Sequence, residues 1–275
     1  MSEPRFDHPR LIADIGGTFA RFALEVAPHV FEQNESLRCE DFPDFYAAIT
    51  AYLAGLKGVA PGDIKQAAVA IANPVAGDQV RMTNYHWQFS IEQMRQRLNF
   101  DNLVVVNDFT ALAMAVPTLT SQQRRQFGGG TAIPRSMVGL IGAGTGLGVS
   151  GLIPADDGWI ALGTEGGHTS FSPHDEREVA ILQYAWRTYK HVSFERLTSG
   201  SGIELIFRAL TDRAGLPERA LDAPEITRLA LEGSDPLCRE TIDVFCAILG
   251  TAAANLAVSQ GAFGGIYIGG GIVPR

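Results

Sequence analysis

Two short stretches of this 275-residue chain pair a glycine turn with groups that could hold an anion. The first is Asp14-Ile15-Gly16-Gly17-Thr18, a carboxylate followed by two glycines and a hydroxyl. Main-chain N–H groups in such a turn can converge on phosphate oxygens, with Thr18 adding a hydroxyl donor. The second, running from Ile141 through Gly144 and Thr145 to Gly148, repeats the device later in the chain. Neither is a GxxxxGK[ST] loop, and no lysine lies in either turn. Neither clearly opens a helix, so a dinucleotide fingerprint fits poorly. Taken singly, each reads as the turn of a tight hairpin; together with Gly269-Gly270-Gly271 they favour a nucleotide ligand.

The remaining reactive groups are carboxylates, an amide and an imidazole. Asn107-Asp108 falls between a short apolar run and an apolar helix. Asn and Asp are preferred helix N-caps, which is one reading; the other is a carboxylate that accepts a proton from a hydroxyl. Thr164-Glu165-Gly166-Gly167-His168 places a carboxylate and an imidazole in what reads as a flexible loop, and Glu195 follows in HVSFERLTSG. Metal binding is the rival use of such groups, but there is no HExxH and no His/Cys cluster. Acidic and amide groups without a cationic cluster suit a neutral polyol, whose hydroxyls donate to carboxylates and accept from amide or imidazole N–H groups.

The elements that must position these residues are read from periodicity and turn chemistry. Arg10 to Asp14 and Phe19 to Val26 form a hairpin around the Gly-Gly-Thr turn, and Met137 to Ile141 with Leu147 to Ile153 form a second. That echo suggests two related halves flanking a cleft. Gln66 to Ala72 and Leu103 to Val106 read as core strands, and Gly265 to Ile268 as a last one. Helical spacing covers Phe42 to Leu56, Ser90 to Leu98 (Ser90 as cap), Asp108 to Val116, Glu176 to Tyr189, Gly202 to Ala209, Glu225 to Leu231 and Arg239 to Val258. A polar loop spans Thr83 to Trp87, and the polar stretch after Pro117 marks a domain crossing, dividing residues 1–118 from 119–275. Val273-Pro274 reads as a helix start, which predicts a C-terminal segment missing from this chain.

Composition sets the class. A hydrophobic share of 46% and a charged share of 19% describe a globular α/β protein. Thirty glycines, about 11% of the chain against a usual 7%, suggest backbone brought close to a ligand. A net charge of −8 argues against a nucleic-acid partner. The charged start MSEPRFDHPR is no secretory signal, and no apolar run approaches the roughly 18 residues of a membrane span. Three cysteines, Cys39, Cys238 and Cys246, without a CxxC pair fit a reducing cytoplasm.

Taken in order, the motifs ADIGGT (13–18), ANPVAGDQVRMTNYHW (72–87), NDFTALAMA (107–115), GAGTGLG (142–148), EGGH (165–168), HVSFERLTSG (191–200) and IGGGIVPR (268–275) cover most of the chain. In that combination the chain resembles the bacterial glucokinases of the hexokinase–actin–heat-shock ATPase superfamily. The resemblance implies a two-domain actin-like ATPase (ribonuclease H-like) fold with a cleft between the domains. It implies ATP-dependent phosphorylation of glucose at the 6-hydroxyl by a cytoplasmic homodimer, with ATP and Mg²⁺ as cofactors. Asp108 would be the base, and Asn107, Glu165, His168 and Glu195 would hold the sugar's other hydroxyls. Ala13, Asp14, Ile15, Gly16, Gly17 and Thr18 with Gly144 and Thr145 would hold the phosphates, Asp14 lying near Mg²⁺ through water, and Gly270 and Gly271 would lie against the adenosine. Family members generally continue past IGGGIVPR to a segment that returns to the first domain. A broader hexose or amino-sugar kinase is the rival, but those relatives carry a cysteine-rich zinc loop, and only Cys238 and Cys246 follow His168 here. A sugar-binding fragment without turnover is the non-enzyme alternative. Asn73 and Tyr85-His86 are points of departure with no assigned consequence.

Overall fold

The computed structural model of the chain describes residues 8–83 and 85–274. The opening residues read for a leader, Asn84 of the Thr83 to Trp87 loop and Arg275 of the last motif lie outside the described residues. Tertiary packing separates Met1–Leu112 from Ala113–Arg275, a division upstream of the one read after residue 118.

In the first unit, period-two burial builds the sheet. Leu11, Ala13 and Ile15 of β1 (Arg10–Ile15) are buried, and Ala20, Phe22 and Leu24 of β2 (Phe19–Ala27) join them. β3 (Val30–Arg38) pairs antiparallel with β2 at the sheet edge. Asp44 then caps α1 (Phe45–Gly55), its carboxylate accepting from the Ala47 N–H at 2.7 Å. That cap, in extended backbone, starts the helix later than the Phe42 read from apolar spacing. β4 (Gln66–Ile71) runs parallel to β1, and β5 (Gln79–Arg81) with β6 (Gln88–Ser90) form a small hairpin. Ser90 caps α2 (Ile91–Arg97) as read, accepting from the Gln93 N–H at 3.0 Å. β7 (Asn102–Asn107) runs parallel to β4 and leads into α3 (Asp108–Ala115), which crosses the unit boundary. The strand order is β3-β2-β1-β4-β7. The C-terminal ends of β1, β4 and β7 therefore lie side by side, with Ile15 opposite Ile71 and Ile71 opposite Asn107. Phe45, Ile49 and Tyr52 of α1, Met94 of α2 and Trp87 complete the core beneath them.

In the second unit the order is β10-β9-β8-β11. β8 (Val138–Ala143), β9 (Leu147–Ala155) and β10 (Gly158–Thr164) form an antiparallel meander, and β11 (Ile266–Gly269) lies parallel to β8 with Gly269 opposite Gly142. Between β10 and β11 come α4 (Glu176–Trp186), α5 (Phe194–Leu197), α6 (Gly200–Arg213), α7 (Ala223–Glu232) and α8 (Pro236–Gln260). Each is capped by a preceding Asp or Ser side chain. α8 corrects one expectation, because by length and composition it is apolar enough to cross a membrane. Its buried residues, from Cys238 through Thr241, Phe245, Ile248 and Ala252 to Leu256, recur at three- and four-residue spacing in the unit's core. That one-sided burial is the pattern of an amphipathic core helix. Val273 and Pro274 form a turn, and the helix start read there is not seen among the described residues.

Candidate active site

The first unit gathers its reactive groups at the C-terminal edge of its three parallel strands, where open α/β sheets bind ligands. Ala13 and Ile15 are buried and support the turn from behind, while Asp14, between them in the alternation, is exposed. Asp14 Oδ2 accepts from Arg21 Nη1 at 2.9 Å, the two residues facing each other in the β1–β2 register. Both side chains are more than half exposed, so water screens the pair and it holds Asp14 only loosely. Arg21 was not singled out from the sequence, although strand alternation around the Gly-Gly-Thr turn places it across from Asp14.

The turn itself is pinned by its carbonyls. Gly16 N–H donates to Phe19 O at 3.0 Å, Cys39 N–H donates to Thr18 O at 2.9 Å, and Cys39 Sγ lies 3.5 Å from Gly16 O. Burial pushes the Cys39 thiol above its ordinary pKa, which keeps it a donor. The N–H groups of Gly17 and Thr18 have no partner in a turn or loop among the described residues and are available to an anion.

At the end of β7 the cap reading of Asn107-Asp108 falls to Asn107. Asn107 Oδ1 accepts from the N–H groups of Phe109 (3.0 Å) and Thr110 (3.3 Å), so Asn107 caps α3. Asp108 Oδ1 accepts from Phe109 N–H at 2.9 Å. Burial raises the Asp108 carboxyl above the usual carboxylate range, and the nearby Asp14 charge adds to the rise against the Phe109 bond, which lowers it. A half-buried carboxylate with a raised pKa is a better base than an exposed one.

The second unit brings Glu165, His168 and Glu195 together. His168 Nδ1 lies 3.5 Å from Glu195 Oε1, and His168 Nε2 lies 3.7 Å from Glu165 Oε2. The segment expected to be a flexible loop is a tight 3-10 turn, Gly166–His168. Thr164 Oγ1 donates to Val149 O and accepts from Gly166 N–H, both at 3.1 Å. A Cβ on Gly167 would run into Leu147 O, so only glycine lets the turn pack there. Glu195 sits on α5, where Ser193 Oγ accepts from Arg196 N–H at 3.2 Å, and its Oε2 accepts from Leu147 N–H at 3.0 Å.

Leu147 also ends the second glycine turn. Gly144 N–H donates to Gly146 O at 2.8 Å, and Gly144 O accepts from Gly200 N–H, the first residue of α6, at 3.0 Å. Ile272 N–H donates to Ala143 O at 3.2 Å, which draws Gly270-Gly271 against Gly144-Thr145. Gly270 has φ +87°, and a Cβ there would strike Ala143 O. The ends of β8 and β11 and the start of α6 thus offer main chain from three segments at one place. The sequence motifs contained Gly200 but did not assign it.

No cluster of three or more His, Cys, Asp or Glu suited to a metal occurs among the described residues. Asp14, an exposed carboxylate held only loosely by Arg21 beside the glycine turn, fits a Mg²⁺ ion whose other ligands would be water and substrate phosphates.

Comparison with known proteins gives the arrangement a lineage. A family profile described as Glucokinase matches residues 11–275. A bifunctional protein glk from Paraburkholderia xenovorans is 58% identical over 270 residues, 98% of this chain and 42% of that protein. The chain therefore spans less than half the length of that relative. A glucokinase from Neisseria meningitidis serogroup C is 52% identical over 268 residues, 98% of this chain and 81% of the relative. Among solved structures, a glucokinase from an Antarctic psychrotroph superposes with a TM-score of 0.85 at 37% identity, over 98% of this chain and 85% of that one. The actin-like ATPase fold implied by the motifs is the fold this chain has. With a profile that runs from β1 to the end of the chain and relatives above half identity, the chain belongs to the glucokinase family.

Proposed function

We propose that the protein phosphorylates glucose at O6 with ATP, giving glucose 6-phosphate and ADP. The observation that carries this reading is Asp108, capped into place by Asn107 at the end of β7 and raised in pKa by burial. The 6-hydroxyl donates to Asp108 Oδ2 while O6 attacks the γ-phosphorus. The O6–P bond forms, the bond from phosphorus to the ADP oxygen breaks, and the hydroxyl proton passes to Asp108. A loose phosphoryl transition state asks mainly for alignment and charge stabilisation, so orienting the hydroxyl is the carboxylate's first task.

Glu165, His168 and Glu195 hold further hydroxyls of the sugar, and Asn107 keeps an amide N–H for one more. The turn at Gly16, Gly17 and Thr18 and the turn at Gly144-Thr145 receive phosphates, and Gly270-Gly271 lies along the adenosine. Mg²⁺ bound with the nucleotide would neutralise phosphate charge, held by Asp14 through water. The same reading makes the protein a cytoplasmic homodimer with neither nucleic acid nor membrane as partner.

The test is Asp108→Ala in a coupled assay for glucose 6-phosphate. Turnover is expected to fall by about two to four orders of magnitude while calorimetry still detects glucose binding. Turnover near that of the parent enzyme would remove Asp108 from its role.

A further inference from the structure

Asn73 follows the C-terminal end of β4, the strand between Asp14's and Asn107's, and is only 6% exposed. A carboxamide buried there destabilises the fold unless its polar atoms are satisfied. Oδ1 accepts both the N–H of Thr83 at 2.8 Å and its hydroxyl at 2.7 Å, and Nδ2 donates to Pro74 O at 2.8 Å. The main chain of Asn73 is tied as well, its N–H donating to Ile71 O at 2.7 Å and its carbonyl accepting from Asn107 Nδ2 at 3.4 Å. Asn107 passes the constraint on, because its Oδ1 caps the first turn of α3, the turn that carries Asp108.

We propose that Asn73 is a positioning residue for Asp108, acting through Asn107. Its side chain locks the 73–74 main chain onto Thr83, and the locked carbonyl holds the Asn107 carboxamide in the orientation that caps α3 and aims Asp108. An apolar residue would fill the same space without fixing that carbonyl, which explains a buried amide at this point. The inference rests on the kinase reading of Asp108.

Steady-state kinetics on the full chain, with calorimetry for glucose and for AMPPNP, test it. Asn73→Leu is expected to lower kcat about tenfold and raise the glucose KM, with the ATP KM within about twofold of the parent. Thr83→Val, which removes only the hydroxyl bond, moves the same two parameters the same way by about threefold, and Thr83→Ser restores them. Adding Thr83→Val to Asn73→Leu costs nothing further, because the shared bond is already gone. A lower kcat with both KM values unchanged reflects a smaller folded fraction and overturns the proposal, as does a parallel rise in both KM values. If Asn73→Leu does not fold, the contrast between Thr83→Val and Thr83→Ser decides alone, and equal kinetics in the two overturn it. A parent chain that binds glucose and ATP but yields no glucose 6-phosphate overturns the kinase reading itself, whatever the variants do.

Discussion

On the proposed reading Asp108 carries the chemistry, and its burial is a cost to the fold. Its folded pKa is raised, chiefly by burial, so the ionised form is penalised in the native state. Stability from this residue is complete below the unfolded carboxylate value of about 3.9 and is lost as pH rises through the folded value. On the proposed role activity has the opposite sign, since a base must be ionised. The acid limb of kcat is expected above about pH 4, and Asp108→Asn, though nearly inactive, is expected to melt higher than the parent at pH 7 and to lose that advantage at low pH. A limb at or below the ordinary carboxylate range, or an Asn variant that melts lower at pH 7, would count against the burial argument. At this scale the sequence was readable but ambiguous. Asn107-Asp108 allowed a cap or a base, and only the bonds to Phe109 and Thr110 show that Asn107 is the cap.

Elements were legible where local chemistry sets them. Ser90 with Gln93 three residues on marks a helix start, and the two glycine hairpins appear as β1–β2 and β8–β9. The echo between the halves goes further than the hairpins. Each unit adds a third antiparallel strand and then a strand parallel to its first, giving β3-β2-β1-β4 beside β10-β9-β8-β11. Neither third strand was read from the sequence. β3 is an edge strand whose residues are almost all exposed, so it has no apolar alternation to detect, and β10 is likewise scarcely buried. The glycine turns make a prediction at this scale. Gly270→Ala puts a side chain at positive φ and against Ala143 O, so the end of β11 must shift away from Gly144. We expect AMPPNP affinity to fall about tenfold, with glucose binding unchanged in calorimetry. Unaltered nucleotide affinity would detach this turn from the nucleotide.

Among the described residues of the whole molecule, the two cores share no buried residue. Trp87 is buried in the first, whereas Trp159 and Trp186 belong to the second unit. Phe245→Ala removes a fully buried ring from α8, a loss of about 3–5 kcal/mol to its own unit. Thermal unfolding of that variant is expected to shift in circular dichroism while the Trp87 fluorescence transition stays in place; a joint shift would mean that the units unfold as one. By itself the sequence determined the family, the glycine turns and most helices, because caps, turns and periodicity act over a few neighbouring residues. Only tertiary structure decided that Arg21 faces Asp14, that Glu195 meets His168 and Leu147 N–H, and that buried Asn73 joins Thr83 to Asn107. Those pairings span separate strands and turns, and their geometry follows from strand register and packing, which no local pattern encodes.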